Sequence, residues 1–417
     1  MLPARAVSAF GDDMAVLVLL LRVYSEGRGP WSITGLLLCS ALPVVVLAPV
    51  AGRLVDTVPF KPLAVLTAVW QAACCAGLAV VDPLWSIYAL VVLLQMGQVV
   101  ALPTWQALVP EIVAADEVGG AVGAGQALST GAAVGAPAAA GVLVGALGFG
   151  APLLLDGVTF FVLAAAALAI RSTRHSRVDA APADTPAEVY KLRRDPLLWP
   201  LILGICALVL VGEASNVVEV FLVRGTLGAG ATAFGLVAAF LAAGVAVGAV
   251  LAGRRVPDSV RAVRTAVAAL ALGIMLALGG LAPALWVFAI AWTLLGVSNG
   301  FVNVDASTLM LSRTPEDRRG RVLATVNGMV RSSSLVAMLL GGLAGTLLGP
   351  RETFVAGGSA MALVALALFL RLRPQLTMTP SACSGQTEPA PSAPPSEAAR
   401  SAEAPAGEAR LGASASS

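Results

Sequence analysis

The sequence predicts an all-α polytopic membrane protein whose twelve transmembrane helices form two six-helix halves. Of its 417 residues, 58% are hydrophobic and 12% are charged, and the mean hydropathy is +0.87. Soluble proteins carry about 25% charged residues, so this composition excludes a conventional soluble enzyme. The apolar residues come in runs of about 20, and such a run crosses a hydrocarbon core of about 30 Å as a helix. Six runs precede a long polar stretch in the middle of the chain and six follow it.

Each predicted span is an apolar run that ends at charged or turn-forming residues. The first run holds Asp12 and Asp13 and is followed by further spans, so we expect a retained helix and no cleavable signal peptide. The fifth and eleventh runs are long and rich in Gly, Ala and Ser. The spans lie near residues 4–24, 32–52, 62–81, 84–106, 120–147, 152–170, 197–222, 233–252, 264–282, 284–308, 322–348 and 352–370.

Two polar stretches set the predicted domain organisation. Residues 1–170 form the N-terminal six-helix half, and 197–371 form the C-terminal half. Between them, residues 171–196 are a cytoplasmic linker loop. Residues 372–417 are rich in Ala, Ser, Pro and Glu, which predicts a disordered cytoplasmic tail.

Short motifs indicate that the two halves are distant copies. Gly52-Arg53 recurs as Gly253-Arg254 at an offset of 201, and Pro110-Glu111 recurs as Pro315-Glu316 at an offset of 205. Near-constant offsets across six spans predict a parallel internal repeat.

The orientation follows from the basic residues in the connections. With both termini in the cytoplasm, nineteen Lys and Arg residues before the tail lie on the cytoplasmic side and four lie on the other side. Because cytoplasmic loops are enriched in Lys and Arg, we expect a multi-pass protein of the cell membrane with both termini cytoplasmic.

Composition also limits the chemistry. A net charge of +2 gives no reason to expect a nucleic-acid partner. One histidine and five cysteines without ligand spacing predict no metal site, and the chain has no G-x-x-x-x-G-K-[ST] phosphate loop. We therefore predict no enzyme and no cofactor, with a proton gradient as the energy source. The expected partners are a small-molecule substrate and the lipid bilayer, and we expect the chain to function as a monomer.

The segment after the second span carries a family resemblance. It contains Gly52, Leu54, Asp56 and Lys61, and it is similar to the loop pattern of the major facilitator superfamily, although Thr57 stands where that family usually has Arg. The resemblance covers residues 1–371 and implies the twelve-helix fold and a transport function. An acid beside a helix N-terminus is favoured by the helix dipole. We therefore interpret Gly52, Asp56 and Lys61 as a conformational loop that latches one half against the other.

A second set of motifs resembles a narrower branch of that superfamily. Gly11-Asp12 in span one, Leu155-Asp156-Gly157 in span six and the run from Pro315 to Val322 are similar to the enterobactin exporters and macrolide-efflux proteins. This resemblance implies that Asp12 is a functional position.

Three acids are the proton-coupling candidates: Asp12, Glu213 and Asp305. A charge in the membrane costs about 2.5–3.5 kcal/mol on insertion scales, which makes it a functional candidate by default. Asp12 and Asp13 point about 100° apart on a helix, so we expect only one of them to face a given cavity. Glu213 lies about 24 Å into span seven at 1.5 Å per residue, still inside the hydrocarbon. We expect Glu219 to lie near the outer interface in contact with solvent.

Four further residues are substrate-cavity candidates: Asn216, Asn299, Asn303 and Arg331. Asn216 follows Glu213 by three residues, and Asn299 and Asn303 are four apart, so each pair shares a helix face. Arg331 needs a partner or a water-filled cavity, and Asp305 is the acid that it could reach. The sequence leaves open whether these two form an ion pair between helices or contact the substrate.

The sequence predicts a secondary active efflux transporter. We expect it to export a small amphipathic molecule (a drug, an antibiotic, a siderophore or another secondary metabolite) by proton antiport with alternating access. An importer on the same fold and a non-transporting membrane subunit are the alternatives. Only the branch resemblance favours export, and the sequence does not identify the substrate.

Overall fold

The computed structural model of the chain describes residues 2–112, 118–169, 198–314 and 319–376. In this part of the chain it contains twelve α-helices and no strand, which confirms the twelve predicted spans. A π-helical segment, Phe221–Thr226, continues the seventh helix. The helices are α1 (Leu2–Ser25), α2 (Pro30–Thr57), α3 (Phe60–Val80), α4 (Leu84–Ile112), α5 (Val118–Leu147), α6 (Gly150–Ala169), α7 (Leu198–Val220), α8 (Ala231–Ala252), α9 (Asp258–Leu281), α10 (Leu285–Arg313), α11 (Arg319–Leu347) and α12 (Pro350–Leu376).

Eleven of these helices are long and apolar enough to cross a membrane. The exception is α1, because Arg5, Asp12, Asp13 and Arg22 divide its apolar sequence. Its charges are accommodated by contacts within the bundle: Arg22, for example, is buried and donates hydrogen bonds to the Leu78 and Val81 carbonyl oxygens at the end of α3.

Several helices extend beyond the predicted spans because charged residues continue them past the apolar run. The second helix runs to Thr57 rather than to residue 52, and the ninth begins at Asp258 rather than at residue 264. The last helix runs to Leu376, so the first five residues of the predicted tail are helical. The predicted linker 171–196 and residues 377–417 lie outside the described residues.

Small residues set the spacing between helices in the C-terminal half. Gly244 and Gly248 on α8 face Gly296 and Gly300 on α10. A Cβ atom on Gly244 would lie 3.1 Å from the backbone nitrogen of Val297. The backbones of α8 and α10 therefore touch, which is how apolar helices gain packing energy when lipid surrounds them.

The two halves meet at one end of the bundle, which we call the closed end: the end at which α1 finishes and α2 begins. There a Cβ atom on Gly141 of α5 would lie 2.7 Å from the carbonyl oxygen of Ala231 on α8. Thr34 of α2 donates a hydrogen bond of 3.2 Å to the Met338 carbonyl oxygen of α11.

Aromatic contacts join the halves at the same end. The ring of Tyr24 on α1 packs edge-on against Phe221 of the π-helical segment, with 5.3 Å between ring centroids. The guanidinium of Arg224 lies 5.5 Å from the centroid of the Tyr24 ring. Toward the opposite end α5 and α8 diverge, and a cavity opens between the halves.

Candidate functional site

The central cavity has a volume of about 630 Å³ and lies between α1, α4, α5 and α8. One wall is polar and includes Arg5, Asp12 and Asp13 of α1. The facing wall on α8 is apolar and includes Leu241 and Val245. Two smaller cavities adjoin it, one in each half, and each shares lining residues with it.

The N-half cavity, of about 210 Å³, holds a chain of side-chain hydrogen bonds. The Gln71 side-chain N–H donates to Gln98 Oε1 at 2.7 Å, and Gln98 Nε2 donates to Asp12 Oδ2 at 3.0 Å. Gln71 is 1% exposed, and no donor among the described residues bonds to its Oε1 atom. Gly97 makes room for this arrangement, because a Cβ atom there would lie 2.9 Å from Gln71 Cγ.

Asp156 on α6 is fully buried and lines the same cavity. Its carboxylate accepts hydrogen bonds of 3.3 Å from Cys75 Sγ and from Thr159 Oγ1. It packs against the backbone of α1 at Gly11, where a side chain would collide with it. No Lys or Arg among the described residues forms an ion pair with Asp156.

The expectation that Asp12 and Asp13 face different surroundings is wrong. Both line the N-half cavity and both line the central cavity. The physical reason is the width of the two connected cavities. Together they extend around one side of α1, from α2 and α4 to α5. This arc is wider than the angle of about 100° between consecutive side chains on a helix, so both aspartates face it.

The C-half cavity, of about 230 Å³, brings together most of the predicted cavity residues. Asn216 Nδ2 donates to Glu213 Oε2 at 3.2 Å, and Asn303 Nδ2 donates to Asn299 Oδ1 at 2.7 Å. The sequence spacing that placed each pair on one helix face therefore agrees with the structure. Glu213 is half-buried at the cavity wall.

The predicted place of Glu219 near the outer interface stays a prediction. In the structure this residue is half-buried, and its carboxylate lies near the indole of Trp292 on α10.

The predicted contact between Asp305 and Arg331 is also wrong. Asp305 is fully buried and accepts two hydrogen bonds from Arg264, at 2.6 Å from Nε and 2.5 Å from Nη2, and Arg261 Nη1 lies 3.5 Å away. Arg331 is exposed and has no acidic partner among the described residues. Asp305 lines none of the three cavities, so its place in the structure is that of an ion pair between α9 and α10.

The predicted conformational loop is largely helical, which corrects its description as a loop. Gly52 and Asp56 lie in the last two turns of α2, and Lys61 is the second residue of α3. Only Val58 and Pro59 connect the two helices. The latching role of this segment stays a prediction.

Sequence reasoning missed the amide residues of the N-half cavity. The signal was present: Gln71, Gln95 and Gln98 interrupt otherwise apolar runs, and a buried amide needs hydrogen-bond partners. It also noted Asp156 only as part of a motif. The described residues contain no cluster of three or more His, Cys, Asp or Glu side chains that could bind a metal.

Comparisons with known proteins agree with this architecture. YfiS of Bacillus subtilis (strain 168), an MFS-type transporter, is 25% identical over 378 residues, which cover 88% of this chain and 91% of that protein. The multidrug resistance protein MdtG of Escherichia coli is 35% identical over 95 residues, or 23% of each chain.

Solved structures show the same fold. A bacterial homologue of the iron transporter ferroportin in an inward-facing state superposes with a TM-score of 0.67 at 19% identity, covering 90% of this chain and 97% of that one. A bacterial homologue of the lysosomal transporter Spinster, also inward-facing, gives 0.67 at 15% identity, covering 91% and 98%. The family model of the Major Facilitator Superfamily matches residues 1–282 and 214–403. The chain therefore belongs to the Major Facilitator Superfamily.

Proposed function

We propose that this membrane transporter exports small amphipathic molecules in exchange for protons by alternating access. The observation that supports the proposal is the central cavity. Its volume of about 630 Å³ suits a small molecule, and its polar α1 wall faces an apolar α8 wall. The contacts between α5 and α8 separate this cavity from the closed end.

Two acids are the proposed proton carriers, Asp12 in the N-terminal half and Glu213 in the C-terminal half. Each lines a small cavity that adjoins the central cavity, so each is within reach of water and substrate. Removal from water favours the neutral form of a carboxyl group, and an ion pair favours the charged form. Asp305 is left out of this proposal, because it lines none of the three cavities and forms ion pairs with Arg261 and Arg264.

The direction of transport rests on orientation and on one relative. With both termini in the cytoplasm, the closed end faces outward and the central cavity opens inward, where an exported molecule would enter. The short stretch shared with a multidrug resistance protein supports efflux. The three cavities support transport over a role as a non-transporting subunit.

The predicted orientation has a direct test. In a variant without native cysteines, we expect single cysteines at Ser176 and at Ser396 to resist an impermeant thiol reagent in intact cells and to react after lysis. The nineteen-to-four distribution of basic residues is the reason. Labelling of either position from outside would reverse the orientation and with it the direction proposed above.

The proton-coupling proposal is tested with purified protein in liposomes. A panel of labelled amphipathic compounds first identifies one that accumulates when a pH gradient is imposed. We expect Asp12→Asn and Glu213→Gln each to slow gradient-driven transport at least about tenfold, because the neutral amide cannot release a proton. A tenfold change corresponds to about 1.4 kcal/mol. Both variants should still exchange substrate across the membrane without a gradient.

The control for these variants is Glu352→Gln, which changes an exposed acid at the start of α12. It should transport at the wild-type rate. A variant that accumulates substrate as fast as the wild type would remove its residue from the proton pathway. Accumulation only in right-side-out vesicles, driven by inward proton flow, would favour the importer alternative.

A further inference from the structure

At the N-half cavity, the buried Oε1 atom of Gln71 has no hydrogen-bond donor among the described residues. Gln71 is 1% exposed, its side-chain N–H donates to Gln98, and its Oε1 atom has no partner although the side chain lines the cavity. A buried acceptor without a donor is costly, and native structures keep few of them. A bound group that donates a hydrogen bond would remove this cost.

The surroundings of Gln71 indicate the charge of that group. Asp12, Asp13 and Asp156 line the same cavity, and no Lys or Arg does. Gln98 and Gln71 donate toward Asp12, so the hydrogen-bond chain in the cavity wall runs from α3 to the Asp12 carboxylate. Arg5 interacts electrostatically with Asp12 but lines the central cavity and not the N-half cavity. The cavity therefore presents three carboxyl groups together with an unused oxygen acceptor.

We propose that the N-half cavity binds the ammonium group of a substrate that carries N–H bonds, a protonated primary or secondary amine. In this proposal Asp12 balances the positive charge of the ammonium group, and one ammonium N–H donates a hydrogen bond to Gln71 Oε1. The apolar body of the substrate then extends into the central cavity, along Leu241 and Val245 of α8. This inference rests on the proposed function, because it names the substrate class for the same cavity.

The proposal separates two kinds of cation that charge alone does not distinguish. A quaternary ammonium has the same charge as a protonated amine but no N–H, so it leaves Gln71 Oε1 unpaired. A hydrogen bond that involves a charged group is worth roughly tenfold or more in affinity. The transporter should therefore prefer an amine to its trimethylated analogue, and the preference should depend on Gln71.

The test uses dodecylamine and dodecyltrimethylammonium as a matched pair, with binding to the purified full-length protein measured by calorimetry without any gradient. We expect the wild type to bind the amine at least about tenfold more tightly. Gln71→Met, which removes the acceptor at similar size, should bring the ratio close to one.

The matched control is Gln95→Met, since Gln95 lines the same cavity but takes no part in the chain from Gln71 to Asp12. It should leave the ratio unchanged. If Gln71→Met still prefers the amine, size alone excludes the quaternary ion and the proposal is overturned. Equal binding of the two probes by the wild type would overturn it as well. If sodium chloride displaces the amine and choline chloride does not, Gln71 Oε1 binds a metal cation and the amine proposal is overturned.

Because binding is measured in detergent, its result is independent of proton coupling and of the direction of transport. If the amine preference holds while the liposome experiment shows no proton-driven accumulation, the binding site stands and the proposed transport cycle fails. The reverse outcome would keep the transport cycle and reject the amine site.

Discussion

Replacing Arg264 with methionine should lower the free energy of unfolding by about 3–5 kcal/mol, the usual cost of leaving a buried charge without its partner. Asp305 is fully buried and receives two short hydrogen bonds from Arg264. The same guanidinium donates to the Ala252 carbonyl oxygen at the end of α8 at 2.8 Å, so one side chain connects three helices. We expect the lower part of the range, because Arg261 stays 3.5 Å from Asp305.

The measurement is unfolding of the purified protein in increasing dodecyl sulfate, followed by tryptophan fluorescence. Arg255→Met is the matched control, because Arg255 is exposed in the connection between α8 and α9 and should change little. Combining Arg264→Met with both Arg261→Met and Asp305→Leu should recover much of the loss, since that triple variant contains no buried unpaired charge. If Arg264→Met were as stable as Arg255→Met, the ion pair of Arg264 with Asp305 would have no structural role.

Replacing Gly235 with alanine should slow transport by about tenfold, because it separates the two helices that close one end of the bundle. A Cβ atom there would lie 2.9 Å from the Cα atom of Gly141 and would collide with the Pro137 carbonyl oxygen. Overpacking costs about 1–3 kcal/mol. Alternating access needs a second state in which α5 and α8 are apart at this end. The added methyl group therefore destabilises only the state in which this end is closed, and the equilibrium shifts toward the other state.

The shift is read from a cysteine at Ala238, which lines the central cavity. With the predicted orientation, this cysteine should react faster with an impermeant thiol reagent in intact cells when Gly235→Ala is present. Gly230→Ala is the control, because nothing lies within 4 Å of a Cβ atom at that position. Unchanged labelling with normal transport would show that α5 and α8 can separate without cost.

The helices could be predicted from the sequence because each is an apolar run of membrane-spanning length, although charged residues divide the run in α1. Their ends could not, since a charged residue at a helix end looks the same as one in a loop. Asp56 illustrates this: the sequence predicts a loop there, but Asp56 lies in α2, which runs to Thr57. The paired asparagines of α10 were predictable because their spacing of four residues is a property of one helix.

The contacts between helices were beyond the sequence. The sequence suggests Arg331 as the partner of Asp305 and places Arg261 and Arg264 in a cytoplasmic connection. In the structure, Arg261 and Arg264 are the partners of Asp305. Which basic residue reaches an acid depends on how three helices pack, and local pattern carries no information on that. The same limit explains Gln71, whose role follows from Gln98 on a neighbouring helix.

The pairing of Asp305 with Arg264 has a consequence for how the newly made chain enters the bilayer. Residues 282–284 alone connect α9 to α10, so the two helices can leave the insertion machinery together as a hairpin. Entering singly, each would bring unpaired charge into lipid at about 2.5–3.5 kcal/mol per residue. Entering together, Arg264 and Asp305 neutralise each other before they meet the hydrocarbon. We therefore expect α9 to be retained at the insertion site until α10 has been synthesised.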